Sequence, residues 1–462
     1  MQITELLNAL NIPMTHSPKI IVLDDDPTGS QTVHSCLLLC QWDMDTLCLG
    51  LTDESPIFFI LTNTRALPPD QAAAVTREVC QNLKQALAQT AITDFLVVSR
   101  SDSTLRGHYP IETDVIAAEL GPFDAHFLTP AFFEGGRITR DSVHYLKIAG
   151  VDTPVHKTEF AQDSVFGYHH SYLPDYVAEK TQGRIPANRV ERFLLADVRS
   201  GTYDRLMGLT GNVCVAVDAE TQTDMDRFAQ DVRRAASQGK RFLFRSAASL
   251  LTSLAALPPQ PVVANEMAQY VRQSNPGVIL VGSHVQKTTA QLTQLLQDPT
   301  VRGIEVDVSH LLQGAPEQRD RLREQVLASV QTVYASGQTP VIYTSRQELT
   351  FPDATTRLAF GTGVSSLLMA IIQGLPSDIG FLISKGGITS NDVLSIGLAL
   401  KSARLLGQIL PGVSVVRTPL NHPQFPTLPV VLFPGNVGDN DALATVYHRL
   451  RVAAHNEHTE TD

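Results

Sequence analysis

The sequence predicts an α/β fold built from two α/β domains, each with a mostly parallel sheet. First, apolar strand-like runs alternate with helix-like segments through most of the chain. Second, this alternation occurs in two series separated by a proline-rich segment, residues 257–261, which can continue neither a helix nor sheet pairing. Third, 462 residues exceed what one hydrophobic core usually organises.

The predicted elements follow these two series. An amino-terminal domain over residues 1–257, a linker over 258–273 and a carboxyl-terminal domain over 274–462 are expected. Short apolar, β-branched runs predict strands at 19–23, 57–62, 95–99, 278–281, 303–308 and 341–344. Amphipathic or alanine-rich segments predict helices at 69–89, 263–273, 288–297 and 316–336.

Composition limits the classes of partner and compartment. The balance of 36 basic against 47 acidic side chains gives a formal charge of −11, which disfavours nonspecific binding to nucleic acid or anionic membranes. Residues 1–14 lack the basic start and apolar centre of a secretory signal, so a cytoplasmic protein is expected. The five cysteines show no CxxC spacing, which favours reduced core thiols over a zinc site.

An unusual acidic run, Asp24, Asp25 and Asp26, directly follows the first predicted strand. Ligands bind at the carboxyl ends of strands in open α/β sheets, so this position predicts a site. A solvated turn is the alternative, because Asp, Pro and Gly are ordinary turn residues. If the extended conformation continues through the run, Asp25 points away from the side that Asp24 and Asp26 share.

A second polar cluster follows the strand predicted at 95–99. Arg100, Asp102, Ser103 and Arg106 combine guanidinium groups, which bind carboxylates, with groups that suit the hydroxyls of a polyol. Together they would suit a sugar acid, with Arg106 clamping its carboxylate. The alternative is a structural Arg–Asp pair with Ser and Thr capping the next helix.

Two further segments of this half are candidates. A glycine turn at Gly136 precedes another arginine, Arg137. Residues 158–170 are polar, aromatic and histidine-bearing, and form either a lid over the site or a surface loop.

The second half carries three strand–glycine–helix turns, which offer free backbone N–H groups to phosphate. None has the GxxxxGK[ST] spacing of a Walker loop. A fourth segment, residues 360–365, is either another wall of the same site or the start of a helix. The candidate nucleotide-binding residues in these turns are Ser283, Gly386, Gly387, Ile388, Thr389, Gly435 and Asn436.

These motifs resemble the four-carbon acid sugar kinases, in the same order along nearly the whole chain. Residues 25–30 (DDPTGS) are similar to the family's ADDLTGA, and residues 100–107 (RSDSTLRG) to its KxDSTLRG. Residues 130–137 are similar to its PAFP…GR segment, and the glycine turns to its GS, GGDT or GGET, and GNFG turns. DSTLRG is the most specific of these matches.

The resemblance implies an ATP-dependent kinase with Mg²⁺ that phosphorylates a hydroxyl of threonate, erythronate or a 3-oxo-tetronate. It implies an amino-terminal sugar-acid domain, a carboxyl-terminal nucleotide domain and an active site in the cleft between them. Asp26 and Asp25 would be catalytic, with Asp26 nearest the reacting hydroxyl and Asp25 holding neighbouring groups or water-bound magnesium. The implied substrate-binding residues are Asp24, Arg100, Asp102, Ser103, Arg106, Gly136 and Arg137.

Three positions depart from the family pattern: Pro27 replaces leucine, Arg100 replaces lysine, and Ile388 replaces an acidic residue of the nucleotide turn. A sensor that binds both ligands without turnover is therefore the main alternative. A dinucleotide-dependent oxidoreductase is disfavoured, because no GxGxxG follows a first strand. The sequence does not identify the sugar acid, the hydroxyl that is phosphorylated or the metal ligands. It also does not decide which carboxylate is the catalytic base, among Asp24, Asp25, Asp26 and Asp102. The oligomeric state is open as well, and a homodimer is one possibility.

Overall fold

The computed structural model describes residues 18–312, 316–346, 349, 351 and 353–451. Residues 1–14, on which the prediction of no secretory signal rests, lie outside this part of the chain.

The strands of the described residues, in chain order, are β1 (Lys19–Asp24), β2 (Leu37–Leu39), β3 (Ile57–Leu61), β4 (Phe95–Arg100), β5 (Ala125–Thr129), β6 (Arg137–Arg140), β7 (Val143–Ile148), β8 (Val151–Pro154), β9 (Glu191–Phe193), β10 (Val213–Val217), β11 (Phe242–Ser246), β12 (Val278–Val281), β13 (Val301–Val306), β14 (Thr339–Thr344), β15 (Leu382–Lys385), β16 (Ser402–Leu410), β17 (Val413–Arg417) and β18 (Pro429–Phe433).

The α-helices fill most of the connections between parallel strands. Within the described residues they are α1 (Met44–Thr52), α2 (Pro69–Thr90), α3 (Ile111–Leu120), α4 (Leu173–Lys180), α5 (Leu195–Ser200), α6 (Tyr203–Gly208), α7 (Gln222–Ala236), α8 (Ala248–Ala255), α9 (Gln286–Leu295), α10 (Pro316–Ala335), α11 (Ala354–Gln373), α12 (Gly387–Asp392) and α13 (Ala442–Leu450). None of these helices is long and apolar enough to cross a membrane.

The first compact unit contains the described residues up to 25 together with residues 42–257. Its strands run in the order β3-β1-β4-β11-β5-β10-β9, and every pairing is parallel. Central strands such as β1 are apolar between their end residues, as expected for parallel strands that are covered on both faces of the sheet. A separate antiparallel sheet has the order β6-β7-β8.

The second compact unit contains residues 26–41 and the described residues from 258 onward. Its strands run in the order β13-β14-β12-β15-β18-β17-β16-β2, parallel from β13 to β18 and antiparallel beyond. A core of buried side chains from β12, β15 and β18 packs against α9 and α13. The predicted α/β class with mostly parallel sheets is confirmed.

Two local predictions are wrong. Residues 263–273 form no α-helix; they form 3₁₀ turns over Ala264–Tyr270 and Arg272–Ser274, and Gln273 has a φ of +51°. Residues 360–365 are not a helix start, because they lie inside α11. The alternative of a wall stays a prediction, and Ser365 of this segment donates to Asp392 at the end of α12. Burial of apolar residues on the later turns of α11, such as Leu367 and Ile371, outweighs the helix cost of about 1 kcal/mol for each glycine.

Candidate functional site

Polar side chains of the first unit gather at the carboxyl ends of β1, β4 and β11. Asp24 ends β1, and its register partner on β4 is Arg100, which is in turn paired with Ser246 of β11. Arg100 Nη1 lies 3.4 Å from Asp24 Oδ1 and 4.0 Å from Asp25 Oδ1. Asp24 is fully buried and Arg100 nearly so, which makes this a buried ion pair at the strand ends.

Asp25 is also buried and already has several partners. Arg65 donates to both of its carboxylate oxygens, with Nε 3.1 Å from Oδ2, and Ser101 Oγ donates to Oδ2 at 2.6 Å. The extended conformation, on which the expected alternation of the three carboxylates depends, does not continue through the acidic run, because β1 ends at Asp24 and the chain bends at Asp25. The bend is stabilised by the charge-assisted hydrogen bonds of Arg65 and Ser101 to the Asp25 carboxylate.

A buried network continues from Ser101. Arg245 donates to Ser101 Oγ at 2.6 Å, to Ser99 Oγ at 2.8 Å and to Glu112 Oε2 at 2.5 Å. Thr64 Oγ1 completes it by donating to Glu112 Oε1 at 2.6 Å. The sequence prediction missed Arg65, Glu112 and Arg245. The arginines follow or end buried strands, as Arg100 does, so the same strand-end criterion applied to every strand would have found them.

Gly107 closes the DSTLRG loop over this network. Its φ is +112°, and a Cβ at this position would lie 2.4 Å from Ser101 Oγ, 2.6 Å from Arg245 Nη2 and 3.1 Å from Asp25 Oδ2. Both the backbone conformation and the lack of space therefore require glycine.

We expect Gly107→Ala to cost roughly 2 kcal/mol in the free energy of unfolding, from an unfavourable φ and the displacement of three polar side chains. Urea denaturation of the variant measures this loss. Gly150→Ala serves as the control, because its φ of +85° is also unfavourable but a Cβ there meets nothing within 4 Å. Equal losses in the two variants would show that the network does not constrain position 107.

Asp102 and Arg106 pair within the loop. Arg106 Nε lies 2.8 Å from Asp102 Oδ2, its Nη1 lies 3.7 Å from Asp163 Oδ2, and its guanidinium stacks 4.9 Å from the Phe160 ring centre. Burial raises the pKa of Asp102, but Arg65 and Arg106 outweigh it and hold that pKa well below its usual range. The Arg–Asp pair of the structural alternative is thus present, whereas α3 has no side-chain cap.

His144 supports the loop from below and was not predicted. Its Nε2 donates to the Ser103 carbonyl at 2.8 Å and its Nδ1 accepts from Thr139 Oγ1 at 2.9 Å. The imidazole is fully buried, and this burial lowers its pKa to about 4, so the ring is neutral near pH 7. Ser103 is therefore placed through its backbone by a neutral histidine.

Residues 158–170 pack against the same loop. Ala161, Phe166 and Tyr168 are buried, and Tyr168 donates its hydroxyl to the Thr104 carbonyl at 2.6 Å. Other residues of the segment, such as Val165, His169 and His170, are exposed, so a lid and a surface loop both stay open as predictions.

Arg137 differs from the other arginines near the loop. It follows the left-handed Gly136 and donates Nη1 to the Gly135 carbonyl, while its buried Nε meets no acceptor among the described residues. No carboxylate of the described chain forms an ion pair with it, and burial lowers the pKa of its guanidinium. Arg137 thus combines partial burial with unused donors, which suits an anionic ligand.

A cavity of about 20 Å³ lies beside this loop in the first unit. This volume admits about one water molecule, so a bound sugar acid would require the loop side chains to move apart. Its lining residues are Ser101, Asp102, Leu105, Arg106, Leu128, Pro130, Tyr176, Arg245 and Ser246.

In the second unit, the three predicted glycine turns meet around Ser283. A Cβ on Gly386 would lie 3.1 Å from Ser283 Cβ, and one on Gly435 would lie 3.0 Å from Ser283 Oγ. A Cβ on Gly282 would lie 2.2 Å from Thr389 Oγ1. Three separate strand ends are therefore packed together at glycines, which brings their backbones close enough to share one ligand.

Backbone bonds hold these turns in place. Gly282 and Ser283 donate their N–H groups to the Lys385 carbonyl at 3.2 and 3.3 Å, and Gly386 donates to Phe433 at 2.8 Å. Asn436 is exposed, and Ile388 is 69% exposed on the first turn of α12. The predicted nucleotide residues Ser283, Gly386, Thr389 and Gly435 are thus brought together, with Gly387 and Ile388 next to them.

Asp26 belongs to the second unit and lies beside one of these turns. Its Oδ2 is 3.9 Å from the position of a Cβ on Gly387, and its Oδ1 accepts from the Thr28 N–H at 2.8 Å. Asp26 is partly exposed, unlike Asp24 and Asp25. The acidic run therefore divides: two carboxylates are engaged in buried contacts of the first unit, and the third stands at the glycine turns of the second.

Two family models match the chain. One, described as a sugar-binding N-terminal domain, matches residues 20–254, and the other, described as a nucleotide-binding C-terminal domain, matches residues 278–443. The chain is also 25% identical over 315 residues to a D-threonate kinase of Bordetella bronchiseptica, a match that covers 65% of this chain and 71% of the relative.

Solved structures show the same fold. A Salmonella typhimurium LT2 protein aligns with a TM-score of 0.68 at 20% identity, covering 94% of this chain and 100% of the other. A Haemophilus influenzae protein aligns with a TM-score of 0.61 at 18% identity, covering 93% of this chain and 100% of the other. At these identities the similarity shows the fold alone.

Proposed function

Because the chain belongs to the four-carbon acid sugar kinase family, we propose that it transfers the γ-phosphate of ATP to a hydroxyl of a four-carbon sugar acid, such as threonate, erythronate or a 3-oxo-tetronate. The family models cover both halves of the chain and support kinase activity at the family level. The observation that carries the proposal is the meeting of three glycine turns around Ser283 with the Asp26 carboxylate beside them.

The first unit would bind the acid. Its strand-end network fixes the DSTLRG loop, and Arg137 offers a guanidinium without a carboxylate partner among the described residues. Arg106, which the sequence favours as the carboxylate clamp, already pairs with Asp102 and approaches Asp163. Arg137 is therefore the better candidate for the substrate carboxylate, and Arg106 for holding Asp102 toward substrate hydroxyls.

We expect Arg137→Met to raise KM for the acid about 10- to 100-fold, since a charge-assisted contact to the carboxylate is lost, and to leave KM for ATP unchanged. Arg106→Met is the matched comparison and should raise the acid KM less. Steady-state kinetics with each substrate varied in turn measures both. If the acid KM were larger in the Arg106 variant than in the Arg137 variant, Arg106 would be the residue that binds the substrate carboxylate.

The second unit would bind the nucleotide. The N–H groups of Gly282, Ser283 and Gly386 already donate within the chain, so the phosphates would be bound by the other backbone N–H groups of the glycine turns. Asp26 would accept the proton of the attacking hydroxyl. Phosphoryl transfer depends mainly on positioning and charge neutralisation. Thr28 fixes the orientation of Asp26 through its N–H and its hydroxyl.

The donor set is compatible with Mg²⁺ that is carried by the nucleotide. Among the described residues, no three His, Cys, Asp or Glu side chains form a group able to hold a metal ion. Mg²⁺ in such sites is bound largely by phosphate and water oxygens with one or two carboxylates, and Asp26 is the carboxylate next to Gly387. When bound, the ion would neutralise phosphate charge.

A coupled assay of ADP release, with ATP, Mg²⁺ and each four-carbon sugar acid in turn, tests the proposal. We expect turnover with at least one acid and none with the corresponding neutral polyols, which lack the carboxylate that Arg137 would bind. A folded protein that binds ATP but releases no ADP with any acid would contradict it.

The exposed Ile388 favours one alternative. An apolar side chain stands where the family's nucleotide turn has an acidic residue, so a sensor that binds both ligands without turnover is a second candidate. If calorimetry showed binding of both the acid and ATP, and no ADP were released, the sensor would be supported.

The proposal also includes a cytoplasmic location, the absence of nucleic-acid partners and a homodimeric state. Light scattering tests the homodimeric state.

A further inference from the structure

Lys385 ends β15 directly before the Gly386–Gly387 turn, and its side chain is fully buried. Its Nζ donates to the Pro434 carbonyl at 2.5 Å and lies 3.7 Å from the centre of the Phe433 ring. None of the carboxylates in the described part of the chain pairs with it. A buried ammonium without a counter-charge is costly, so its retention requires an explanation.

Other cations surround the same turns. Lys287 on the first turn of α9 acts electrostatically on Lys385. Arg346 donates to the Ser283 carbonyl at 2.6 Å and to the Val281 carbonyl at 3.2 Å, so its guanidinium lies against the Gly282 turn. Positive charge therefore converges on the glycine turns from three separate segments. This arrangement favours a ligand with several negative charges.

The remaining charged groups near Lys385 offer no compensation. Asp26 stands beside Gly387, but only burial and the charge of Lys287 act on the pKa of Lys385. The flanking strands, β12 and β18, contain no titratable side chain. Asp392 ends α12, where it accepts from Ser365, and His284 is exposed in the loop before α9. Burial, followed by the charge of Lys287, lowers the pKa of Lys385 to about 7. Near pH 8, the ligand-free ammonium is therefore mostly deprotonated.

We propose that Lys385 is a positioning residue of the nucleotide's phosphate subsite, which holds the turn after β18 through Pro434 and takes up one proton from solvent when the polyphosphate binds. The inference rests on the proposed function, because it needs a nucleotide at the glycine turns. The bound phosphates supply the counter-charge that the chain lacks. Binding should therefore weaken as pH rises through 7, since the form that binds is the protonated one.

Calorimetry of ADP binding at pH 8, in two buffers of different ionisation enthalpy, measures the proton uptake. We expect the wild-type chain to take up about 0.9 proton and its Kd to rise roughly 15-fold between pH 7 and 8.5. Lys385→Met should take up none and bind about 10- to 100-fold more weakly. Lys385→Arg stays charged, so it should recover affinity at pH 8 without uptake.

Lys287→Met is a second comparison: because the charge of Lys287 helps to lower the pKa of Lys385, its removal should reduce proton uptake at pH 8 below the wild-type value without abolishing it. Thermal unfolding of each variant verifies that it is folded. If Lys385→Met bound ADP with the affinity and the proton uptake of the wild-type chain, this inference would be overturned and the kinase proposal would stay intact. Failure of the wild-type chain to bind ADP or ATP would contradict the proposed function itself.

Discussion

Asp26→Asn is expected to lower kcat by roughly 10²- to 10⁴-fold while leaving the fold intact. The replacement is nearly isosteric but cannot act as the base, and Asp26 is partly exposed beside Gly387, whereas Asp24 and Asp25 are buried. KM for ATP should change less than kcat, because the glycine turns are untouched and asparagine keeps an oxygen atom next to the Mg²⁺ that the nucleotide would carry. Steady-state kinetics with saturating acid and ATP gives kcat, and thermal unfolding verifies the fold.

Two comparison variants locate the effect. Asp24→Asn disturbs a buried pair with Arg100, so it should reduce stability more than turnover. Thr28→Val removes the hydroxyl that orients Asp26 and should give an intermediate loss of kcat. If Asp24→Asn abolishes turnover in a folded protein and Asp26→Asn retains it, the assignment of the base to Asp26 is wrong.

Arg245→Met is expected to lower the free energy of unfolding by about 3–5 kcal/mol, because it leaves the Glu112 carboxylate buried without its cation. Arg245 is 8% exposed and Glu112 is 4% exposed, so solvent cannot replace the lost contact. Ser99 and Ser101 would lose a donor as well. Urea denaturation gives the change in unfolding free energy.

Arg140→Met is the control at the protein surface. Like Arg245, Arg140 forms ion pairs, here with the two carboxylates of Glu220 and Asp152, each at 2.9 Å. Its side chain, however, is 40% exposed. Exposed pairs contribute about 0–1 kcal/mol, so this variant should be nearly as stable as the parent. The double variant Glu112→Gln/Arg245→Met should be more stable than Arg245→Met alone, because no unpaired charge remains. Equal losses of unfolding free energy in Arg245→Met and Arg140→Met would show that burial does not determine how much the Arg245 ion pair contributes to stability.

Local sequence determined the secondary structure and the motifs. Strands such as β1 and β12 and helices such as α2 and α9 were predicted to within two residues at each end, since hydrophobic period and turn residues are encoded within about ten positions. The glycine turns and the DSTLRG motif were also identified from the sequence. Tight turns restrict the residue type at single positions, because only glycine readily adopts their backbone conformations. The family followed from the order of these motifs. The 3₁₀ turns at Ala264–Tyr270 were not predicted, since a short apolar pattern suits either helix type.

Only the tertiary structure decided which charged groups share a partner. Arg65, Glu112 and Arg245 lie far apart in sequence, and the fold brings Arg65 to Asp25 and Arg245 to both Ser101 and Glu112. The division of the acidic run, with Asp25 bound by Arg65 and Asp26 beside Gly387, follows from long-range contacts that no local pattern encodes. The same holds for Lys385, whose burial depends on the packing of β15 between β12 and β18. Side-chain chemistry is local, but desolvation and pairing depend on which strands become neighbours.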